Sequence, residues 1–335
     1  MKQLIVTSVP SFYKNKAFTR IAKFSDLKVF FTFDSKIKRN DDFYRYPIDE
    51  DILVKKEGVI KNIMSLYLQS KKADFVILSG WDDLYFWFLR LVVPKNKLRL
   101  IVESSIYEFK DSIILNPFKF FFIRGISECI VSGKPQSKLV QHLGFFGKIK
   151  ISKGVGVLDF DYKPKVKKRP NRVFKFLYVG RLSEGKGIDL LILFFKNNKN
   201  FQLNIVGNIE NKKYTNINTI SDNISYHGYK NRDEIKRIYS ENDVLILGSK
   251  AEVWGLVVEE ALYNGLPVIV SDKVGCNEDI VKEYNVGEVF LYGDLDDLSI
   301  KIKNISNINQ YMNYCRNISS INFDQITDQY IKCFL

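Results

Sequence analysis

The chain has 335 residues, is 46% hydrophobic, and carries a net charge of +13 from 51 Lys+Arg against 38 Asp+Glu, the composition of an ordinary globular protein long enough for two domains. No run of about 18 apolar residues occurs, which excludes an obvious membrane-spanning helix, and Met1–Ser8 stops being apolar too early for a signal peptide, reading instead as a first strand. Cys129, Cys276, Cys315 and Cys333 form no CxxC and no disulfide framework, so a reducing, cytoplasmic setting is expected. His142 and His227 are too few for a His-rich metal site.

Short apolar runs alternate with amphipathic stretches along the whole chain. In the first half, strands are predicted over Leu4–Thr7, Val29–Phe33, Phe75–Leu78, Leu98–Val102, Cys129–Val131 and Ile149–Ser152, with helices near 57–71, 82–93, 117–126 and 135–143. A polar, Pro-containing linker follows over Asp161–Arg172. The second half repeats the rhythm. Strands are predicted over Phe174–Val179, Leu203–Val206, Ile224–Tyr226, Val244–Leu247 and Pro267–Val270, and helices near 187–197, 232–240, 256–264 and 276–284. The alternation predicts an α/β protein of two doubly wound domains with parallel sheets. An Asn/Ser-rich loop precedes a last helix, whose apolar face is Phe323, Ile326, Tyr330, Ile331 and Phe334. The charge is unevenly shared. Residues 1–165 hold 29 basic and 17 acidic side chains, net +12, against 22 and 21, net +1, in residues 166–335. A basic first half predicts an anionic partner: nucleic acid, a phosphorylated ligand or a membrane surface.

Two segments of the second half carry chemistry. In Tyr178–Asp189 a strand ends at Gly180, a tight loop follows, and a helix opens near Lys186. Open α/β sheets bind ligands beyond the carboxyl ends of their strands. The planar fork of Arg181 and the point charge of Lys186 suit a diphosphate there, a solvated basic loop being the plain alternative. In Ser249–Ser271, Gly255 opens a helix, Gly265 closes it, and a strand follows at once. Such a helix points free N–H groups and the positive end of its dipole into the crevice. Glu252, in the loop before it, and Glu260, eight positions on, are placed to accept from sugar or ribose hydroxyls.

These segments resemble the donor-binding half of a family 4 glycosyltransferase of the GT-B fold. That family's G-R-x-x-x-x-K-G is similar to Gly180-Arg181…Lys186-Gly187, and its E-x7-E with A-x-x-x-G-x-P-V to Glu252…Glu260, Ala261, Gly265, Pro267 and Val268. Ser271–Gly275 with Glu278-Asp279 resembles its sugar-phosphate loop, and Lys153–Phe160 its crossover. The resemblance is strong over 174–290 and loose over 1–160. It implies two Rossmann-like domains facing across a cleft: acceptor domain 1–160, donor domain 170–320, and a helix over 321–335 crossing back to the first. It implies a retaining transferase without metal or other cofactor, using a nucleoside-diphosphate sugar and a glycan or polyprenyl-diphosphate-linked acceptor in O-antigen, capsule or lipopolysaccharide synthesis. By position, Arg181 and Lys186 would neutralise the diphosphate, Glu252 would hold the transferred sugar and Glu260 the ribose. Gly180 and the backbone of Gly255, Leu256 and Val257 would line the donor site.

Three departures stand out. Val253 replaces a common glycine, and the first βα loop, Val9–Tyr13, lacks the family's glycine pair. Where many members carry a histidine, this chain has Glu103-Ser104-Ser105, making Glu103 and Ser104 candidate acceptor contacts, with a structural role as the alternative. Asp159-Phe160-Asp161 and Asp294-Leu295-Asp296 match a metal-binding D-x-D. The first falls in the crossover and the second fits a helix cap. A glycosidase pair of Glu252 and Glu260 would need a folded-back loop, since eight helical positions span about 12 Å. His142 is expected at a helix end and His227 in packing beside a strand end. Aromatic and basic residues mix over Tyr85–Lys97 and Phe118–Arg124, which predicts peripheral contact with an anionic membrane, the alternative being helices packed on the first sheet. Rival functions are a basic nucleic-acid-binding protein, for which no RRM, KH or zinc motif is present, and a GT-B-like sugar-nucleotide epimerase.

Overall fold

The computed structural model describes residues 1–32, 48–112, 115–155 and 173–335. The linker over 161–172, the Asp159–Asp161 triplet and residues 156–160 of the crossover-like segment lie outside the described residues. The chain divides into two compact units, Met1–Asp159 with Gln325–Leu335, and Phe160–Asp324.

Unit 1 runs β1 (Lys2–Thr7), α1 (Phe12–Ala22), β2 (Asp26–Phe31), α2 (Val59–Lys72), β3 (Phe75–Leu78), α3 (Leu84–Val92), β4 (Leu98–Val102), α4 (Leu115–Arg124), β5 (Glu128–Val131), α5 (Lys134–His142) and β6 (Lys148–Ile151). The strands form one parallel sheet in the order β2-β1-β3-β4-β5-β6. Sequence order reverses between β1 and β3, which makes the unit doubly wound with its switch point there. Side chains alternate across the sheet. Leu4 and Val6 join a core with Leu66, Phe86, Phe122 and Leu139 of the helices on one face, while Ile5 joins Phe18 and Ile21 of α1 on the other.

Unit 2 runs β7 (Lys175–Val179), α6 (Ile188–Asn197), β8 (Gln202–Val206), β9 (Ile224–Tyr226), α7 (Arg232–Glu241), β10 (Val244–Leu247), α8 (Leu256–Tyr263), β11 (Val268–Ser271), β12 (Gly287–Phe290), α9 (Leu295–Ser306) and α10 (Ile308–Ser319). Its parallel sheet is ordered β12-β11-β10-β7-β8-β9. The order reverses between β7 and β10, as in a dinucleotide-binding sheet. The last helix, α11 (Phe323–Lys332), leads into a segment that belongs to unit 1. There Tyr330, Ile331, Cys333 and Phe334 are buried against Ile5, Phe18 and Val29. Gln3 Nε2 and Arg99 Nη1 both donate to the Phe334 carbonyl, at 2.8 and 3.1 Å.

Four elements differ from the sequence expectation. Helix α1 is not among the predicted elements, because Lys14, Asn15 and Lys16 read as a polar loop, yet all three are buried. Strand β12 is a short, half-buried edge strand without an apolar run. The Asn/Ser-rich loop before the tail contains α10, whose buried Tyr311, Tyr314, Cys315 and Ile318 lie at i, i+3, i+4 and i+7. Its Asn307 side chain caps the N–H groups of Asn309 and Gln310. The stretch expected as a helix over 276–284 is π-helical over Asn277–Lys282.

Candidate active site

In unit 2 the two chemical segments leave the carboxyl ends of adjacent strands, β7 and β10, at the switch point. Each loop presses on the other. Gly187 has φ +68°, and a Cβ there would lie 1.7 Å from the Gly248 carbonyl oxygen, so only glycine fits. The Lys250 N–H donates to the Gly185 carbonyl at 2.9 Å. A third loop clasps the second. The Glu252 N–H donates to the Lys273 carbonyl and the Gly275 N–H to the Glu252 carbonyl, both at 3.0 Å. A Cβ on Gly275 would meet the Val253 carbonyl oxygen at 1.8 Å.

This scaffold brings Lys186 and Glu252 together. Lys186 Nζ lies 2.5 Å from Glu252 Oε2, both side chains about four-fifths buried, and Ser249 Oγ donates to the same oxygen at 3.3 Å. The Arg181 guanidinium reaches Glu210, beyond β8, in a largely exposed ion pair. The Tyr178 hydroxyl donates to the Arg181 carbonyl at 2.7 Å. Burial, reinforced by the Glu252 charge, pushes the Tyr178 phenol well up, so it stays a neutral donor. Gly180 lines the same loop, 3.1 Å from the Tyr178 hydroxyl if given a Cβ.

Helix α8 starts at Gly255, with φ +101°, followed by Leu256 and Val257, both half-buried. It ends in a Schellman arrangement, Leu266 N–H to Ala261 carbonyl and Gly265 N–H to Leu262 carbonyl. Val253 is not among the residues with positive φ. Glu260 accepts from the Tyr239 hydroxyl at 2.8 Å, and burial raises its carboxyl above the usual range, partly opposed by Tyr239. Its neighbour Glu259 is buried and takes the Trp254 indole N–H. Glu252 and Glu260 thus have different partners on different elements, not the shared setting of a glycosidase pair.

The remaining sequence candidates have structural partners. Asp294 Oδ1 caps α9, accepting from the N–H groups of Asp296 and Asp297. His227 Nε2 lies 2.9 Å from Asn204 Oδ1, and its pKa is lowered by burial. His142 ends α5 with its ring against Phe109. Among the described residues, no three or more His, Cys, Asp or Glu side chains are grouped to hold a metal.

Unit 1 builds a second polar cluster at its own switch point. Lys14, 7% exposed on α1, donates to Thr7 Oγ1 at 3.0 Å and lies 2.6 Å from Glu103 Oε1. Ser79 Oγ donates to the same Thr7 oxygen at 2.7 Å. Ser104 is half-buried beside Glu103, and the buried hydroxyls of Ser105 and Ser11 have no hydrogen-bond partner. Unpartnered buried hydroxyls are costly unless a ligand or water meets them. Sequence reasoning missed Lys14, whose charge reads as solvated, and Glu210 and Tyr178, which lie outside the motifs' charged positions.

Residues 159–320 match the sequence family described as glycosyl transferases group 1. Unit 2 is a group 1 glycosyltransferase domain. The chain is 25% identical over 253 residues to an uncharacterized 41.2 kDa protein in the cps region of Klebsiella pneumoniae, covering 72% of this chain and 65% of that one. It spans 65% or less of the length of the curated relatives it matches. Among solved structures it resembles Anabaena HepE in complex with UDP-glucose, with TM-score 0.70 and 14% identity over 100% of this chain and 99% of that one. It also resembles the lipopolysaccharide outer core galactosyltransferase WaaB, with TM-score 0.66 and 16% identity over 100% of both chains. The fold is therefore GT-B, two Rossmann-like units, and the group 1 domain holds the Lys186–Glu252 pair at its switch point.

Proposed function

We propose that the chain is a retaining glycosyltransferase that moves a sugar from a nucleoside-diphosphate sugar to a hydroxyl of a glycan or polyprenyl-diphosphate-linked acceptor. The observation that carries this reading is the Lys186–Glu252 pair, set where a group 1 domain presents a helix N-terminus and two clasped loops to a ligand. Lys186, Arg181 and the first N–H groups of α8 neutralise the leaving diphosphate, which gives charge stabilisation without a metal. Glu252 accepts from hydroxyls of the transferred sugar, and Glu260 from the ribose. In unit 1, Glu103, Ser104 and Lys14 meet the acceptor. The UDP-glucose complex of HepE and the cps-region relative support a nucleotide-sugar donor and a role in surface polysaccharide or lipopolysaccharide synthesis. The enzyme works in the cytoplasm, at the inner face of the cell membrane.

The first test is a thermal-shift panel of UDP, GDP, ADP and their sugars. One nucleotide is expected to stabilise the protein clearly, since a ligand at 100 times its Kd adds about 2.7 kcal/mol. Product analysis by NMR then reads the retained anomeric configuration, and EDTA leaves the rate unchanged. Silence toward every nucleotide with a salt-sensitive shift on duplex DNA would favour nucleic-acid binding, and product formed without acceptor would favour an epimerase.

The acidic neighbours on α8 separate binding from packing. Glu260→Gln is expected to raise the nucleotide Kd about tenfold or more, the loss of a charged hydrogen bond. Its carboxylate is the accepting form and its pKa is raised. Parental affinity therefore falls as pH drops through that raised value, and the Gln variant is flat over the same range. Glu259→Gln leaves Kd unchanged and lowers stability by about 1 kcal/mol, because its carboxylate holds the Trp254 indole. Calorimetric titration and urea unfolding of both variants decide the matter; matched Kd changes would show that the ribose contact has been misassigned.

A further inference from the structure

We propose that one face of unit 1, formed by α3 and α4, docks on an anionic lipid bilayer. The inference deepens the membrane setting given above and rests on that reading for the acceptor's lipid, while the surface itself is argued from its own geometry. Two segments separated in sequence meet as one surface. The Trp87 ring of α3 stacks parallel on Phe121 of α4, with centroids 6.4 Å apart, and meets Phe118 and Phe122 edge-on. Arg90 ties the helices together, donating from Nε and Nη2 to the carbonyls of Phe122 and Phe121 at 2.8 and 3.0 Å. Phe86 and Phe122 turn into the core, whereas Leu84, Leu91, Leu115, Phe118 and Phe121 keep more than half of their surface open to water. Both helices thus pack on the first sheet by one side and leave an apolar side exposed.

Exposed apolar surface of this density marks an interaction site, and charge identifies the partner. Leu84–Lys97 and Leu115–Arg124 contain five basic and no acidic side chains, within a half of the chain that carries net +12. Asp82, Asp83 and Asp111 stand just before the helices, and Asp83 is occupied in capping the Tyr85 N–H. Arg90 serves the helix packing, Lys97 donates to the Ala73 carbonyl and Lys119 lies over the Phe109 ring, which leaves Lys95 and Arg124 as the exposed cations on the two segments. Aromatic and aliphatic side chains with a basic fringe suit the headgroup–acyl boundary, where rings insert shallowly and cations meet phosphate.

The test uses the full chain, with vesicles of phosphatidylcholine alone and of phosphatidylcholine mixed with phosphatidylglycerol. Sedimentation is expected with the mixed vesicles only and to weaken as salt rises. Lipids brominated in the acyl chain should quench Trp87. Phe118→Ser with Phe121→Ser lowers partitioning more than tenfold. Lys95→Ala with Arg124→Ala lowers it roughly tenfold or more, each cation contributing about fivefold. Ile60→Ser, at an exposed apolar position on α2, leaves partitioning unchanged. Equal binding to both vesicle types, no binding to either, or an equal loss with Ile60→Ser overturns the proposal, as does preference for duplex DNA or a protein partner over vesicles. Every variant is also run against the nucleotide panel. Vesicle binding without any nucleotide response leaves this surface standing and removes the transferase reading, and the reverse result does the opposite.

Discussion

Lys186→Ala is expected to cut turnover by about 100–1000-fold, or 3–4 kcal/mol of transition-state stabilisation, while the protein stays folded. Lys186 lies on the loop after β7, and its ammonium stands 2.5 Å from Glu252 in a setting mostly shielded from water. In the proposed reaction a cation there acts on charge that develops as the diphosphate leaves, so its removal would fall on kcat more than on KM. Glu252 remains in contact with solvent and with Ser249 Oγ, which spares the variant the full cost of a stranded buried charge. Arg181→Ala should be milder, about tenfold, because its guanidinium is largely exposed and already engaged by Glu210. A cycle of Lys186→Ala and Glu252→Gln should be strongly non-additive if the pair works as a unit. Steady-state kinetics with the nucleotide sugar found in the panel, alongside circular dichroism, provide the check. Parental rates in folded Lys186→Ala protein would remove the diphosphate role.

Arg99→Ala is expected to destabilise unit 1 by about 3 kcal/mol without altering nucleotide affinity. Arg99 is 7% exposed on β4, a central strand. Its Nε lies 3.3 Å from Glu128 Oε1, its Nη1 holds the Phe334 carbonyl, and its guanidinium sits 3.6 Å over the Phe75 ring. Burial lowers its pKa and Glu128 pulls the other way, the pattern of a charge kept inside by its partner. Removing it strands Glu128 with Lys150, 3.1 Å away, and the more exposed Lys148. It also leaves the Phe334 carbonyl, on the tail that buries Tyr330, Ile331 and Phe334, with Gln3 as its remaining side-chain donor. Urea unfolding followed by Trp81 and Trp87, both in unit 1, should show the shift, while Trp254 in unit 2 reports little change. Lys150→Ala, a partner of the same carboxylate and of the Cys333 carbonyl, should cost less.

The sequence by itself determined the class of fold and the position of the two loop motifs of unit 2, because both are written in local signals. Strands such as Phe75–Leu78 and Val244–Leu247 are short runs buried on both faces, which only a covered parallel sheet requires. Gly255 and Gly265 bracket α8 because each takes a positive φ that other residues resist. Local signals fail where burial contradicts composition. Helix α1 hides Lys14, Asn15 and Lys16, and α10 reads as a loop from its asparagines although Tyr311, Tyr314, Cys315 and Ile318 repeat at helical spacing.

Tertiary structure alone decided which charges meet. Lys186 and Glu252 are 66 positions apart, and only the reversal of strand order between β7 and β10 sets their loops together. The same topology brings Arg181 to Glu210, 29 positions on. On α8, Glu259 and Glu260 are adjacent and chemically identical, and their roles diverge because about 100° of helix rotation turns one toward Trp254 and the other toward Tyr239. The α3–α4 face depends on the same kind of fact. Each helix shows mixed aromatics in sequence, but which rings are buried and which remain open is settled only when one helix packs on the other and both pack on the sheet. Periodicity encodes the path of the backbone over a few turns, whereas the partner of a side chain depends on chain reversals that no local pattern records.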